Sequence, residues 1–322
     1  MTVGSLFAGI GGFDLGFERA GFDVRWQAEQ DIKAQAVLSA RFPTAQMYGD
    51  VRTIGAANLE PVDVICGGFP CQDVSIAGKG GGLNGERSCL FFQMVRIAKE
   101  LQPRWMVIEN VPRLLSIHGG RDFHAVLAAL AECGFRRSYR ILDSRYFGVA
   151  QCRRRVFIVL RARRLGDGAE TVLFEPKGGD RDSQESGEAR ARVAATLRGR
   201  SHGTGVNTPG RGGEDDENLV AFDPLVAFAL RADPGGTGQG HNTTYPGGIR
   251  RLTPLECERL QGFPDGWTCL CGEGHRGSSF CACPDSPRYR QLGNAVTVNV
   301  AEWIARRIVE ADNRIYRLTR GE

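Results

Sequence analysis

No stretch of this 322-residue sequence is apolar over the length that a membrane-spanning helix needs. The opening run MTVGSLFAGIGG has no basic segment ahead of a long apolar one, so it does not read as a secretory signal. These two absences give the expectation of a cytoplasmic protein with no membrane partner. In that compartment the 10 cysteines are expected to be thiols, metal ligands or nucleophiles rather than disulfides. Net charge is also scarce. At +4 it is too small to announce a nucleic-acid partner. The charge is unevenly spread, however. Ten arginines and a single acid, Asp143, lie between Arg136 and Arg164, which is either a block that meets phosphate or a solvated face.

Hydrophobic residues make up 42% of the chain and charged residues 24%, enough for one large α/β domain and a smaller second one. Asp23 to Ala28, Val62 to Cys66 and Trp105 to Ile108 read as strands ending near Glu29, Gly67 and Glu109. Leu90 to Leu101 has apolar residues at 90, 91, 94, 97, 98 and 101, the spacing of a helix face, and Pro103 stops it. Phe123 to Leu130 is a second helix, closed by Gly134. Arg137 to Leu142 and Arg155 to Leu160 form a closing pair of strands. The alternation predicts an α/β fold, a doubly wound mixed sheet that is mostly parallel. The boundaries are 1–164 for a first domain, 165–290 for a variable one with a Cys-rich insert near 267–284, and 291–322 for a helix returning to the first. Thr253-Pro254 opens a further helix as cap and first residue.

Within 165–248 a weak echo joins Val193–Gly205 to Val226–Gly238, identical at seven of thirteen positions. Either chance similarity in a biased composition or a duplicated element accounts for it.

Two places carry chemistry. Phe7-Ala8-Gly9-Ile10-Gly11-Gly12 follows the first strand and opens a helix, so its glycines let a ligand approach the helix N-terminus. The full G-x-G-x-x-G pattern is absent, because position 14 is Asp. Glu29 ends the next strand, where an acid meets ribose hydroxyls. Asp50 could end a third strand beside it and meet an adenine amino group. No arginine cluster faces this turn to receive a pyrophosphate, so an adenosyl group without phosphates fits better than a dinucleotide. The second place is GGFPCQ. Cys71 follows Pro70 at the carboxyl end of a strand and precedes a glycine-rich loop. A core cysteine is the plain alternative. A thiolate there, beside Glu109, suits addition to an electron-poor ring while the acid grips a ring nitrogen. In Gln151-Cys152-Arg153-Arg154-Arg155, Arg153 and Arg155 would share one strand face.

These pieces, in order, resemble the DNA (cytosine-5)-methyltransferases of bacteria and phages. The matching stretches are Phe7–Phe13, Gly68-Phe69-Pro70-Cys71-Gln72, Glu109-Asn110-Val111, Gln151–Arg155, Arg251–Pro254 with Glu256-Cys257 and Arg259–Pro264, and Gln291–Val296. The resemblance implies a Rossmann-like, S-adenosylmethionine-dependent methyltransferase fold and methyl transfer to carbon 5 of a cytosine flipped out of duplex DNA. It places S-adenosylmethionine against Phe7, Gly9, Gly11, Glu29, Asp50, Pro70, Leu90 and Asn294. It makes Cys71 the nucleophile at carbon 6, Glu109 the partner of ring nitrogen 3 and Arg155 that of the carbonyl oxygen. Arg153 and Arg155 would lower the Cys71 pKa. Gln151 is expected to take part in DNA recognition with a Thr-Leu reader, for which Thr196-Leu197 and Ala229-Leu230 compete. A monomer with a cognate restriction endonuclease as a companion also follows.

The pairs Cys269-x-Cys271 and Cys281-x-Cys283, nine residues apart, read as a tetrahedral zinc site, with uncoordinated thiols as the rival. Three other functions compete: a transfer RNA methylase, which would carry a short variable segment; a non-catalytic DNA-binding relative, which would not need Cys71, Glu109 and Arg155; and a nicotinamide dehydrogenase, which would leave Pro70-Cys71 unexplained.

Overall fold

The structure is a computed structural model describing residues 1–70, 90–166, 168–174, 242–245, 248–271 and 283–320. Seven strands form one sheet: β1 (Thr2–Leu6), β2 (Asp23–Ala28), β3 (Gln46–Tyr48), β4 (Val64–Gly67), β5 (Trp105–Asn110), β6 (Phe135–Asp143) and β7 (Arg154–Ala162). Their order across the sheet is β3-β2-β1-β4-β5-β7-β6. Every pairing from β3 to β5 is parallel, whereas β7 runs antiparallel to both β5 and β6. The fold class is therefore the mixed, doubly wound sheet expected, with the closing strand pair supplying the mixed part.

Helices cover both faces, as a parallel sheet requires. On one face α1 (Gly12–Arg19), α2 (Ile32–Arg41) and a long helix, α8 (Val298–Arg320), contribute Phe13, Phe17, Leu38, Ile304 and Ile308 to a single core. On the other, α3 (Leu90–Leu101) and α4 (Arg121–Glu132) contribute Phe91, Met94, Ile97, Val126 and Leu130. The helix expected from the periodicity of residues 90–101 is observed over that span. A short α5 (Ala169–Leu173) lies against α8, where Arg307 Nε donates to Val172 O at 2.6 Å. After the hairpin β8 (Asn242–Tyr245) and β9 (Gly248–Arg251) come α6 (Pro254–Leu260) and α7 (Asp285–Asn294). Thr253 and Glu256 make the reciprocal capping box that starts α6.

Two strand ends differ from expectation. β4 begins at Val64 and continues through Gly67, where a side chain would collide with Leu6 O 2.2 Å away. Glu109 and Asn110 lie inside β5, opposite Phe157 and Val156 of β7, rather than beyond it. The arginine block also divides. Arg153 and Arg161 are buried, the latter 5.1 Å from the Trp105 ring and ion-paired to Asp312, so a phosphate-facing surface cannot use all ten. Long aliphatic stems let arginine enter a core when its head group finds partners, which a reading of sequence charge does not see.

Candidate functional site

A cavity of about 410 Å³ opens at the carboxyl ends of β1, β2, β4 and β5. This is the edge at which doubly wound sheets bind ligands. Phe7, Gly9, Glu29, Asp50, Pro70 and Leu90 line one part of it; Glu109, Arg153, Arg155 and Asn294 line the rest. The structure thus gathers around one space residues spread over nearly the whole chain.

The first part is built on the turn after β1. Phe7 and Gly9 both have left-handed backbone, at φ 55° and 58°. A non-glycine residue there is strained, a condition that concentrates at ligand sites. Glu29, just past β2, fixes this turn. Its Oε2 accepts from Gly9 N and its Oε1 from Asp31 N, both at 2.8 Å. Asp31 then caps α2 by accepting from Lys33 N and Ala34 N. Asp50 follows β3, and Arg52 hydrogen-bonds it, holding its carboxyl below the usual carboxylate range. Two carboxylates at neighbouring strand ends, with Phe7, Pro70 and Leu90 as apolar walls, suit the hydroxyls and the base of an adenosyl group.

Gly11 departs from expectation. It does not line the cavity. Its φ is 83° at the N-cap of α1, and a Cβ would lie 2.7 Å from the Phe42 ring, so conformation and packing select glycine there. Gly12 is tighter still, with Val296 O only 2.4 Å from a would-be Cβ.

At the other part, Arg155 Nε lies 2.9 Å from Glu109 Oε1, and both side chains are largely buried. The other carboxylate oxygen, Oε2, sits over Gly68, 3.0 Å from where a Cβ would be. Asn110, which sequence reasoning passed over, donates through Nδ2 to Phe69 O at 2.9 Å and so fixes the approach to Pro70. Its place in the Glu109-Asn110-Val111 motif was the available signal. Cys71, the expected nucleophile, lies outside the described residues, as do Thr196, Leu197, Ala229, Leu230 and Cys281.

Arg153 does not share a strand face with Arg155. β7 begins at Arg154, and the buried Arg153 donates through Nη2 to Gly293 O at 3.0 Å and Ala295 O at 2.9 Å. Burial, reinforced by Arg155 nearby, pushes its guanidinium down to about 9, still charged at neutral pH. It clamps the segment carrying Asn294 from beneath the cavity. Gln151 is a plainer correction. It is fully buried and its Nε2 donates to Leu260 O at 2.8 Å, so it ties the segment ahead of β7 to the end of α6 and has no exposed face for DNA. Arg290, also unforeseen, lines the cavity and ion-pairs with Asp31 at 2.6 Å.

A second cluster lies apart from this cavity. The sulfurs of Cys269, Cys271 and Cys283 are all within 4.8 Å of one another, and Leu270 N donates to Cys283 Sγ at 3.4 Å.

The sheet order with only β7 reversed, and a cavity at the strand ends, define a Rossmann-like doubly wound fold, which the family match makes that of an S-adenosylmethionine-dependent methyltransferase. The family model for C-5 cytosine-specific DNA methylase matches residues 1–166 and 180–310, and the chain belongs to that family. It is a DNA cytosine-5 methyltransferase. The type II methyltransferase M.NgoBI of Neisseria gonorrhoeae is 31% identical, over 92% of this chain and 89% of that one. For M2.BsuMI of Bacillus subtilis the identity is 30%, over 98% and 77%. Among solved structures, Schizosaccharomyces pombe Dnmt2 superposes with a TM-score of 0.66 at 18% identity, over 97% of this chain and 99% of that one. An Escherichia coli prophage DNA modification methyltransferase gives 0.61 at 22%, over the same shares. No helix among the described residues is long and apolar enough to cross a membrane.

Proposed function

We propose that the chain methylates carbon 5 of a cytosine flipped out of duplex DNA, through a covalent bond between Cys71 and carbon 6. The observation that carries this reading is the Arg155–Glu109 pair, 2.9 Å apart at one end of a cavity whose other end holds Glu29 and Asp50. Flipping costs a few kcal/mol and delivers the ring to that end. S-adenosylmethionine, when bound, supplies an electrophilic methyl group; Glu29, Asp50 and the turn at Gly9 would hold its adenosyl part.

The thiolate of Cys71 adds to carbon 6. Glu109 holds ring nitrogen 3 and Arg155 the oxygen on carbon 2, so the electron density pushed into the ring is stabilised at these two atoms and carbon 5 becomes nucleophilic. Carbon 5 would take the methyl group, with the electron pair of the broken carbon–sulfur bond staying on the departing thioether, S-adenosylhomocysteine. Loss of its proton to a base then expels Cys71 as thiolate and restores the double bond. Burial pushes the thiols of Cys66, Cys133, Cys152 and Cys257 upward, which suits packing and not nucleophilic attack. Asn110 orients the chain leading into Cys71.

The finer parts of the reading are that residues 165–290 form the target-recognition domain, that the segment around 165–248 reads the target through Thr196-Leu197 or Ala229-Leu230, and that the protein acts as a monomer. It serves in a restriction–modification pair, as the type II naming of its relatives suggests. A structural zinc on Cys269, Cys271, Cys281 and Cys283 takes no part in the chemistry. The test is a duplex carrying 5-fluorocytosine, incubated with S-adenosylmethionine. A denaturation-resistant protein–DNA adduct that disappears in Cys71→Ala is expected; an adduct that survives this change would overturn the mechanism.

A further inference from the structure

The three described thiols sit where two segments of the cofactor cavity meet, although the cavity does not include them. Toward the amino terminus, Cys269 is two residues from Trp267, whose Nε1 donates to Ile10 O at 2.7 Å in a buried contact. Ile10 lies between Gly9 and Gly11, in the turn that Glu29 fixes. The Trp267 ring stacks on Phe263 at 5.4 Å and meets Phe42 edge-on at 5.8 Å. Arg41, at the end of α2, binds the same segment, donating to Gly266 O, Trp267 O and Cys269 O at 2.6 to 3.0 Å. The other end of α2 carries Asp31, which lines the cavity. Toward the carboxyl terminus, Cys283 stands two residues before α7, whose last turns bring Arg290, Gln291, Gly293 and Asn294 to the cavity wall. Whatever joins Cys269 and Cys271 to Cys283 therefore fixes both walls against each other.

The donor set fits a metal. Zinc–sulfur bonds of about 2.3 Å put tetrahedral sulfurs about 3.8 Å apart, the scale of a cluster whose atoms all lie within 4.8 Å. Cys271 and Cys283, at 2.9 Å, are too far apart for the ~2.05 Å of a disulfide and would open by about 0.9 Å to take up the spacing of zinc-bound sulfurs. The Leu270 amide pointed at Cys283 Sγ is the kind of outer hydrogen bond that steadies a metal-bound thiolate.

We propose that Cys269, Cys271 and Cys283 supply three of the four ligands of a structural zinc ion, and that the ion is coupled to cofactor binding through Trp267, Arg41 and α7, so that losing the metal weakens the grip on S-adenosylmethionine. The coupling rests on the cofactor reading above. The ion links the segment that braces the Gly9 turn to the helix that carries Asn294. Without it the link between these walls is left to Arg288, whose Nε donates to Thr268 Oγ1 at 2.8 Å, and to the Arg290–Asp31 pair, and the cofactor must complete the ordering at the expense of its own affinity.

The test uses the full chain. Zinc is measured in the purified protein and S-adenosylmethionine affinity by calorimetry without DNA. About one zinc per chain is expected in the wild type, and none in the double variant Cys271→Ser/Cys283→Ser. Chelator-stripped wild type is expected to bind S-adenosylmethionine about five- to tenfold more weakly and to recover on adding zinc, which guards against a double variant that fails to fold. Trp267→Phe is expected to keep its zinc but lose about fivefold in affinity, the scale of one buried hydrogen bond. Wild-type protein without zinc, or with a Cys271–Cys283 disulfide instead, overturns the site. Zinc-free protein with unchanged affinity overturns the coupling and leaves the cofactor reading intact. Zinc-loaded protein that binds no S-adenosylmethionine overturns the cofactor reading, and the coupling with it.

Discussion

Arg155 and Glu109 satisfy each other, Nε to Oε1 at 2.9 Å, where each is assigned to a different edge atom of one cytosine ring. The pair is a placeholder. A largely buried cation and anion offset each other's desolvation, and on the proposed function a cytosine ring would engage both.

Glu109→Gln and Arg155→Ala are accordingly expected to slow methyl transfer at saturating DNA by roughly 10²-fold or more. Cofactor affinity should stay within about threefold, because the adenosyl end of the cavity is untouched. Single-turnover transfer of labelled methyl, with calorimetry on the same proteins, checks both halves. An equal loss in cofactor affinity would mean the pair shapes the cavity instead.

Asp14 sets a pH dependence. It is fully buried, accepts from Ser5 Oγ at 2.7 Å, and burial raises its carboxyl from 3.8 to about 6. Above about pH 6 the group is ionised in both folded and unfolded chains, and folding carries the whole cost of the buried charge. As pH falls from about 6 to about 4, the folded state takes up a proton that the unfolded state does not, so this group's contribution to stability rises; below that range the cost is gone. Asp14→Asn is therefore expected to exceed wild type by up to about 3 kcal/mol at pH 8 and to converge with it near pH 4. Denaturant titrations at the two pH values decide it, and a constant difference would refute the assignment.

Gly16 marks the closest approach of α1 to α8. A Cβ there would lie 2.6 Å from Ala301 Cβ and 2.7 Å from Glu302 N. Backbone cannot yield as a side-chain tip can, so Gly16→Ala should cost on the order of 1–3 kcal/mol and lower the melting temperature. An unchanged melting curve would show that the helices separate freely.

Gln151→Ala tests the reassignment of that residue. It leaves the Leu260 carbonyl without its buried donor, for an expected loss of about 1–3 kcal/mol. Bisulfite sequencing of DNA from cells expressing the variant should show an unchanged target sequence.

Periodicity made the sheet legible. β2 and α3 fall where apolar spacing puts them, because those elements earn their burial locally. The carboxylates Glu29 and Glu109 were legible for a related reason: strand ends in such a sheet face the ligand. Arg153 was legible only in part, since its motif places it at the cavity but no local pattern encodes its hold on two carbonyls 140 and 142 residues away. Trp267 was hidden in the same way. Its partner Ile10 is 257 residues distant, and no local pattern encodes a hydrogen bond over that separation.

The reversal of β7 has an electrical consequence. Of the four acids that line the cavity, Glu29, Asp50 and Glu109 arrive where a parallel strand finishes or just after it, and Asp31 caps the helix that follows β2. Arg153 and Arg155 arrive where the one backward strand starts. A wholly parallel sheet would send the start of that strand to the far edge and leave Arg290 as the one basic residue facing four acids in the described lining. Turning a single strand around sets Arg155 against Glu109 and brings Arg153 to the same cavity, without any loop having to carry the charge across.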